Sequence, residues 1–198
     1  MSRRDRVFGV VVPVPEEVSR IADRVRRHYD PNFPRIGPHV TVLPPRKMQL
    51  TRRQVREAVE RATRGMRPFR IALGPIRTFR PVMPVVFASL KEGKGPLSRL
   101  HRNLALGALK GTETFPYVPH LTLGQALDAK RFPRALLLSR RLFSGVSRNV
   151  WPVDRLLIVE RLSEEIWIPL PPVFMNRATP AETTGRARTT RFSRRPKT

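Results

Sequence analysis

The sequence predicts an α+β domain made of two similar halves. Three observations lead there. Strand and helix periodicities alternate from Val7 to Leu170. The order strand, helix, strand, helix, strand occurs twice. In both copies a Pro-His-aliphatic-Thr-aliphatic segment begins about 30 residues after the first strand, the length of a helical crossover unit.

In the first half, Val7 to Val12 is a continuous apolar run and reads as a buried strand. Pro15 suits the first position of a helix, because its missing N–H is not needed there. Val18, Ile21, Ala22, Val25 and Tyr29 follow at helical spacing, and Asp30-Pro31-Asn32 ends the run. A strand through His39 comes next. Thr51-Arg-Arg-Gln54 has the form of a capping box, in which a hydroxyl and an amide satisfy the free N–H groups of a helix start. Val55, Ala58, Val59 and Ala62 form the buried face of that helix, with Gly65 as its stop. Phe69 to Phe79 reads as extended, with a bulge or edge at Gly74-Pro75.

The second half repeats the order. Val85 to Leu90 reads as a strand, and Leu97, Leu100, Leu104 and Ala108 as one face of a helix closed by Gly111. The His120 strand follows. Asp128 can cap a further helix whose limits are blurred by Pro133. Val146 to Val159 is extended, and Ile166 to Leu170 is a last strand after a Ser163-Glu-Glu turn. Residues 1–175 are thus expected to form one domain and residues 176–198 a disordered basic tail. Arg177 to Thr198 carries seven Lys and Arg against one Glu.

Composition bounds the chemistry. The 198 residues contain no cysteine, which excludes disulfides and thiolate metal sites, and the four histidines show no H-x-x-x-H spacing. No metal and no cofactor is expected. The formal charge of +24 favours a polyanionic partner such as RNA, against the alternative of a general arginine bias. Val7 to Val14 is too short and too broken by Pro13 for a secretion signal, and no apolar run approaches a membrane span, so a cytoplasmic monomer with no membrane partner is expected.

The motifs carry the chemistry. A strand places residues i and i+2 on one face. His39 and Thr41 therefore point together, away from Val40 and Val42, and 81 residues later His120 and Thr122 do the same, away from Leu121 and Leu123. A histidine in a strand is more often structural than catalytic, but two copies at equivalent places in a repeat change that weighing. If the strands lie together, one cleft holds two imidazoles and two hydroxyls. Imidazoles can give and take protons near neutral pH, and hydroxyls can donate to phosphate oxygens that gain charge in a transition state.

Pro38-His-Val-Thr-Val and Pro119-His-Leu-Thr-Leu resemble the paired H-x-T-x motifs of the two-histidine (2H) phosphoesterase superfamily. Within it, the chain is most similar to the 2'-5' RNA ligase-like branch, which includes RNA 2',3'-cyclic phosphodiesterases. The resemblance implies a bilobal 2H phosphoesterase fold with pseudo-twofold symmetry, antiparallel or mixed sheets and flanking helices around a central cleft. It implies His39 and His120 as acid and base, in either order, and Thr41 and Thr122 as phosphate-binding hydroxyls. The implied reaction is metal-independent opening of an RNA 2',3'-cyclic phosphate to a 2'-phosphate, with 2'-5' ligation as its reverse. A small substrate such as an ADP-ribose cyclic phosphate, or RNA binding without catalysis, are the alternatives. Where many relatives have a basic residue after the second motif, this chain reads Gly124-Gln125. Arg35, Arg46 and Lys47 near the first motif, and Tyr117 before the second, are then the candidate RNA contacts. Phe115 and Tyr117 suit either base stacking or core packing. His28 reads as a surface residue, His101 as a half-buried helix residue, and Trp151 and Trp167 as core or interface.

Overall fold

The computed structural model describes residues 5–144 and 150–175. The element order is β1 (Arg6–Pro13), α1 (Glu16–Tyr29), β2 (His39–Met48), α2 (Arg52–Thr63), β3 (Phe69–Thr78), β4 (Val86–Glu92), α3 (Lys94–Leu106), β5 (His120–Gly124), α4 (Arg131–Phe143), β6 (Val150–Val153), β7 (Arg155–Arg161), β8 (Trp167–Pro169) and β9 (Val173–Phe174). The basic tail and the start of the segment from Val146 lie outside the described residues.

Hydrogen-bonded neighbours run β6-β3-β4-β5-β2-β1-β7-β8, with β9 also paired to β7. Every recorded pairing is antiparallel. The repeat is visible in this order. Around the central β5-β2 pair, β4 corresponds to β1 and β3 to β7. The third strand of each half therefore joins the other half: β3 pairs with β4, and β7 returns to β1. This exchange ties the two lobes into one continuous sheet.

The amphipathic faces seen in the sequence do the packing. Val18, Ala22 and Val25 of α1, Val55, Ala58 and Val59 of α2, and Leu97, Leu100 and Leu104 of α3 are all buried in one core with Val40, Val42, Leu121 and Leu123. The aliphatic residues of both motifs thus face this core, which turns the histidines and threonines the other way. The capping box at Thr51 is formed in full, with the Thr51 hydroxyl accepting from the Gln54 N–H and the Gln54 side chain accepting from the Thr51 N–H. The bulge at Gly74-Pro75 appears as a register shift between Leu73 and Ile76. A side chain at position 74 would meet Ser89 Oγ at 2.8 Å, so the strand crossing leaves no room for one.

Several boundaries differ from the sequence expectation, while the expected role of Asp128 at the start of α4 holds. Pro15 is the N-cap of α1 and not its first helical residue, with its carbonyl accepting from Ser19 N–H at 2.9 Å. The helix α3 stops at Gly107, before Gly111, and so excludes Ala108. The extended run after Val150 is two strands broken at Asp154, and a further short strand, β9, follows β8. In α4, Asp128 acts through its side chain, accepting from the N–H groups of Lys130 and Arg131, and Pro133 falls in the first turn, where it costs no hydrogen bond.

Leu121 is fully buried at the joint between lobes, opposite Val40. Leu121→Ala should lower stability by about 2–5 kcal/mol, read as a fall in Tm, because it opens a cavity where the lobes meet.

Candidate active site

The β2–β5 pairing sets the site. Val40 lies opposite Leu121 in an antiparallel register. The flanking positions then fall His39 beside Thr122 and Thr41 beside His120. All four point to the face opposite the apolar core, so the two histidines stand diagonally across one cleft, each next to the other motif's threonine.

The proline before each histidine has a mechanical consequence. It fixes its own backbone and holds the preceding residue extended. In both motifs the carbonyl two residues upstream meets the imidazole: Nδ1 of His39 lies 2.8 Å from Gly37 O, and Nδ1 of His120 lies 2.6 Å from Val118 O. A carbonyl can only accept, so Nδ1 must carry the hydrogen. That leaves Nε2 of each ring as the free proton acceptor or donor in the cleft. Burial pushes the pKa of both histidines below the ordinary value of 6.5, against a smaller upward pull from these carbonyls. For His39, nearby Arg26 and His120 also push down, and Asp30 pulls up.

His120 is fixed further by aromatic rings. Phe79 meets it edge-on with centroids 5.0 Å apart, Phe87 lies at 4.9 Å, and the two phenyl rings stack on each other at 4.2 Å. His39 instead shares a cavity with a buried polar network. Arg26, only 2% exposed, donates through Nε to Asp30 Oδ2 at 2.9 Å, through Nη1 to Asp23 at 3.0 Å and through Nη2 to Ile36 O at 2.7 Å. Gln125 Nε2 donates to the other oxygen of Asp30 at 2.8 Å. Gln125, at the place where relatives carry a base, is thus joined to an arginine from α1 through one carboxylate.

Two recesses open from the motif pair. The smaller, about 200 Å³, is lined by His39, Thr41, Thr122, Arg26, Gln125 and Trp167 among others. The larger, about 550 Å³, is lined by His120 and Thr41 with Phe79, Val82, Phe115 and Tyr117 among others. Thr41 belongs to both and stands at their junction.

Of the expected RNA contacts, Arg46 and Tyr117 line the larger recess, whereas Arg35 and Lys47 line neither. Arg35 makes a two-pronged pair with exposed Glu165 at 2.9 and 2.6 Å. Arg46 is held by Glu113 and by Leu109 O. Lys47 is exposed farther along β2. Tyr117 donates to Thr41 O at 2.8 Å, and burial, helped by Glu113, raises its pKa and keeps that hydroxyl protonated. His101 stacks on Tyr117 at 3.9 Å, with Nδ1 2.9 Å from Val42 O and Nε2 3.2 Å from Glu113. These residues brace β2 at the backbone of Thr41 and Val42. His28 is exposed and Trp151 buried, as the sequence suggests, but Trp167 lines the His39 recess. Arg26, Asp30, Phe79 and Phe87 were not singled out from the sequence. The only hint was a charged pair, Arg26 and Asp30, spaced i,i+4 at the end of an amphipathic helix. Among the described residues no group of three or more His, Cys, Asp or Glu is arranged to hold a metal, and no helix is long and apolar enough to cross a membrane.

Residues 14–165 match the 2'-5' RNA ligase superfamily. The chain belongs to this family. Its sequence is 27% identical over 163 residues to a candidate phosphoesterase of Oceanobacillus iheyensis, covering 81% of this chain and 92% of that protein. It is 28% identical over 163 residues to a candidate phosphoesterase of Halalkalibacterium halodurans, with the same coverages of 81% and 92%. The fold is similar to that of Escherichia coli LigT solved with 3'-AMP, with a TM-score of 0.58 at 14% identity, covering 88% of this chain and 100% of that one. The protein is therefore a phosphoesterase-family member with a LigT-like 2H fold.

Two outcomes follow from the site. If the two imidazoles act as an acid–base pair, the kcat/KM profile should be bell-shaped, one ring being neutral and the other protonated. Both pKa values lie below 6.5, so both limbs shift to acid and the maximum should fall on the acid side of 6.5, as a pH–rate series would read. Arg26→Met should cost about 3–5 kcal/mol in chemical denaturation, because it strands the buried Asp30 carboxylate without its partner.

Proposed function

We propose that this family member is a cytoplasmic, metal-independent cyclic phosphodiesterase that opens RNA 2',3'-cyclic phosphate ends. The observation that carries the reading is the matched pair of Nδ1-to-carbonyl bonds, which leaves two Nε2 atoms free in one cleft. One neutral imidazole takes a proton from water as the water oxygen bonds to phosphorus. The other, protonated, gives its proton to the departing ribose oxygen as the P–O bond breaks. By family resemblance that oxygen is O3', which leaves a 2'-phosphate. Thr41 and Thr122, beside the imidazoles, serve the non-bridging oxygens. The charge of +24 and the nucleotide bound to LigT in its solved complex support a nucleic-acid end over a neutral substrate. Arg35, paired with exposed Glu165, remains the proposed backbone-phosphate contact. Two imidazoles suffice for the proton transfers, which is why no metal is invoked.

The test is hydrolysis of an oligonucleotide ending in a 2',3'-cyclic phosphate, with the product mapped. His39→Ala and His120→Ala should each lose roughly 10²–10⁴-fold or more in rate. Thr41→Val and Thr122→Val should lose less, since one donor among several is removed. Activity should survive EDTA, and strict dependence on a divalent ion would refute the scheme.

A further inference from the structure

The cations of this chain are not all held in the same way. On α2, Arg52, Arg53 and Arg56 each pair with a carboxylate, of Glu160, Glu57 and Glu60. On α1, Glu16 and Glu17 lie in the first turn and Arg26, Arg27 and His28 in the last, which suits the helix dipole. The helix α4 follows neither pattern. It contains no acidic residue, and Lys130, Arg131 and Arg134 stand at the end where the dipole is positive. Asp128 accepts from the backbone N–H groups of Lys130 and Arg131. Among the described residues no carboxylate forms an ion pair with Lys130, Arg131, Arg134, Arg140 or Arg141.

Helical spacing gathers these charges into a stripe. Lys130, Arg134, Leu137 and Arg141 fall within about 60° of arc and span about 16 Å along the axis. All four are exposed, while Phe132, Ala135, Ser139 and Phe143 on the opposite side are buried. The end of α1 lies alongside, with Arg24 and Arg27 exposed. Arg131 joins the two helices, donating through Nη2 to His28 O and lying over the Tyr29 ring at 5.8 Å. The stripe also begins near the cleft. The Arg80 guanidinium lies 3.7 Å from the centre of the Phe132 ring, and Phe79, the residue before it, meets His120.

Like charges three and four residues apart on a helix repel, and the fold gains no ion pair from these in return. A bound polyanion removes that repulsion. We propose that the outer face of α4, with the end of α1, is a docking surface for the phosphate backbone of a nucleic-acid strand, outside the histidine cleft. The spacing suits a repeating anion. Lys130 and Arg134 stand about 6 Å apart along the axis, and Arg134 and Arg141 about 10 Å, so each cation meets a different phosphate of one strand. Backbone contacts of this kind fix position and carry no base preference. A strand held here passes Arg80 on its way to His120. Its binding draws on charge alone and is independent of what the two histidines do.

The experiment measures binding of a fluorescent oligouridylate, and of an oligothymidylate of equal length, to the full chain across a salt series. Lys130→Gln, Arg134→Gln and Arg141→Gln combined should make the slope of log K against log salt shallower by about 2, at about 0.7 per lost phosphate contact on a single strand. Arg141→Gln alone should change it by about 0.7. A control with Arg53→Gln, Arg56→Gln and Arg155→Gln removes the same charge from paired positions and should keep the wild-type slope. Circular dichroism confirms that each variant is folded. A change with RNA alone identifies the strand as RNA, and a change with both assigns the surface to phosphate whatever the sugar; either supports the inference. An equal change in the control would reduce the effect to net charge and overturn it. So would an unchanged slope in the α4 variants, or wild-type binding to phosphatidylglycerol vesicles with none to either strand. Binding is read without turnover, so failure here leaves the phosphodiesterase reading standing, and an inactive protein that binds as expected leaves this surface standing.

Discussion

A single antiparallel contact, Val40 against Leu121, is what the remainder of the site depends on. It joins two lobes that are otherwise complete on their own sides of the sheet, and it fixes the registry of the two motifs to the residue. Because side chains alternate along a strand, a slip by one position would send every imidazole and hydroxyl into the core and every aliphatic into the cleft. The buried Val40, Val42, Leu121 and Leu123 make that slip costly. Hydrophobic burial on one face of the sheet thus enforces polar geometry on the other. The strand exchange adds to this. With β3 bonded to β4 and β7 to β1, each side of the joint is built from both halves of the chain.

Each imidazole is then tuned by the backbone next to it. The Pro-His sequence sets a carbonyl at Nδ1, and the same bond in both motifs gives both rings the same free nitrogen. Burial works against the charged form of each ring, whereas catalysis by an acid–base pair needs one ring charged at a time. The carbonyls offset part of that penalty by accepting from the imidazolium as well as from the neutral ring. Burial outweighs that pull, so the neutral form of each ring is favoured over that of a free imidazole.

Much of this was legible in the sequence because it is local. Alternation along a strand, helical spacing of Val18, Ala22 and Val25, and the Thr51–Gln54 box are each decided within a few residues. So is the shared face of His39 and Thr41. What escaped was long-range. Nothing in Arg26 or Asp30 announces that α1 will end beside His39, since that depends on how the helix packs against β5 and α4. Phe87 reaches His120 because β4 lies next to β5, and Phe79, just after β3, stacks on Phe87. The return of β7 to β1 spans almost the whole chain and carries no signature beyond two apolar runs. Boundaries failed for a smaller reason: Gly107 and Gly111 are both plausible stops, and tertiary packing chose the first.

The repeat explains what is symmetric and leaves the substrate to what is not. The duplicated strands supply two equivalent imidazoles and two equivalent hydroxyls, which is sufficient for chemistry at a phosphorus atom but indifferent to direction. Direction comes from the segments that the repeat does not share. On one side the end of α1 contributes a buried, fully bonded arginine–aspartate pair and a rigid polar recess. On the other, the loop before β5 contributes Phe115 and Tyr117, and the turn after β3 contributes Val82 and Met83. The symmetric frame therefore places the two motifs alike, and the segments outside the repeat give each histidine a different wall.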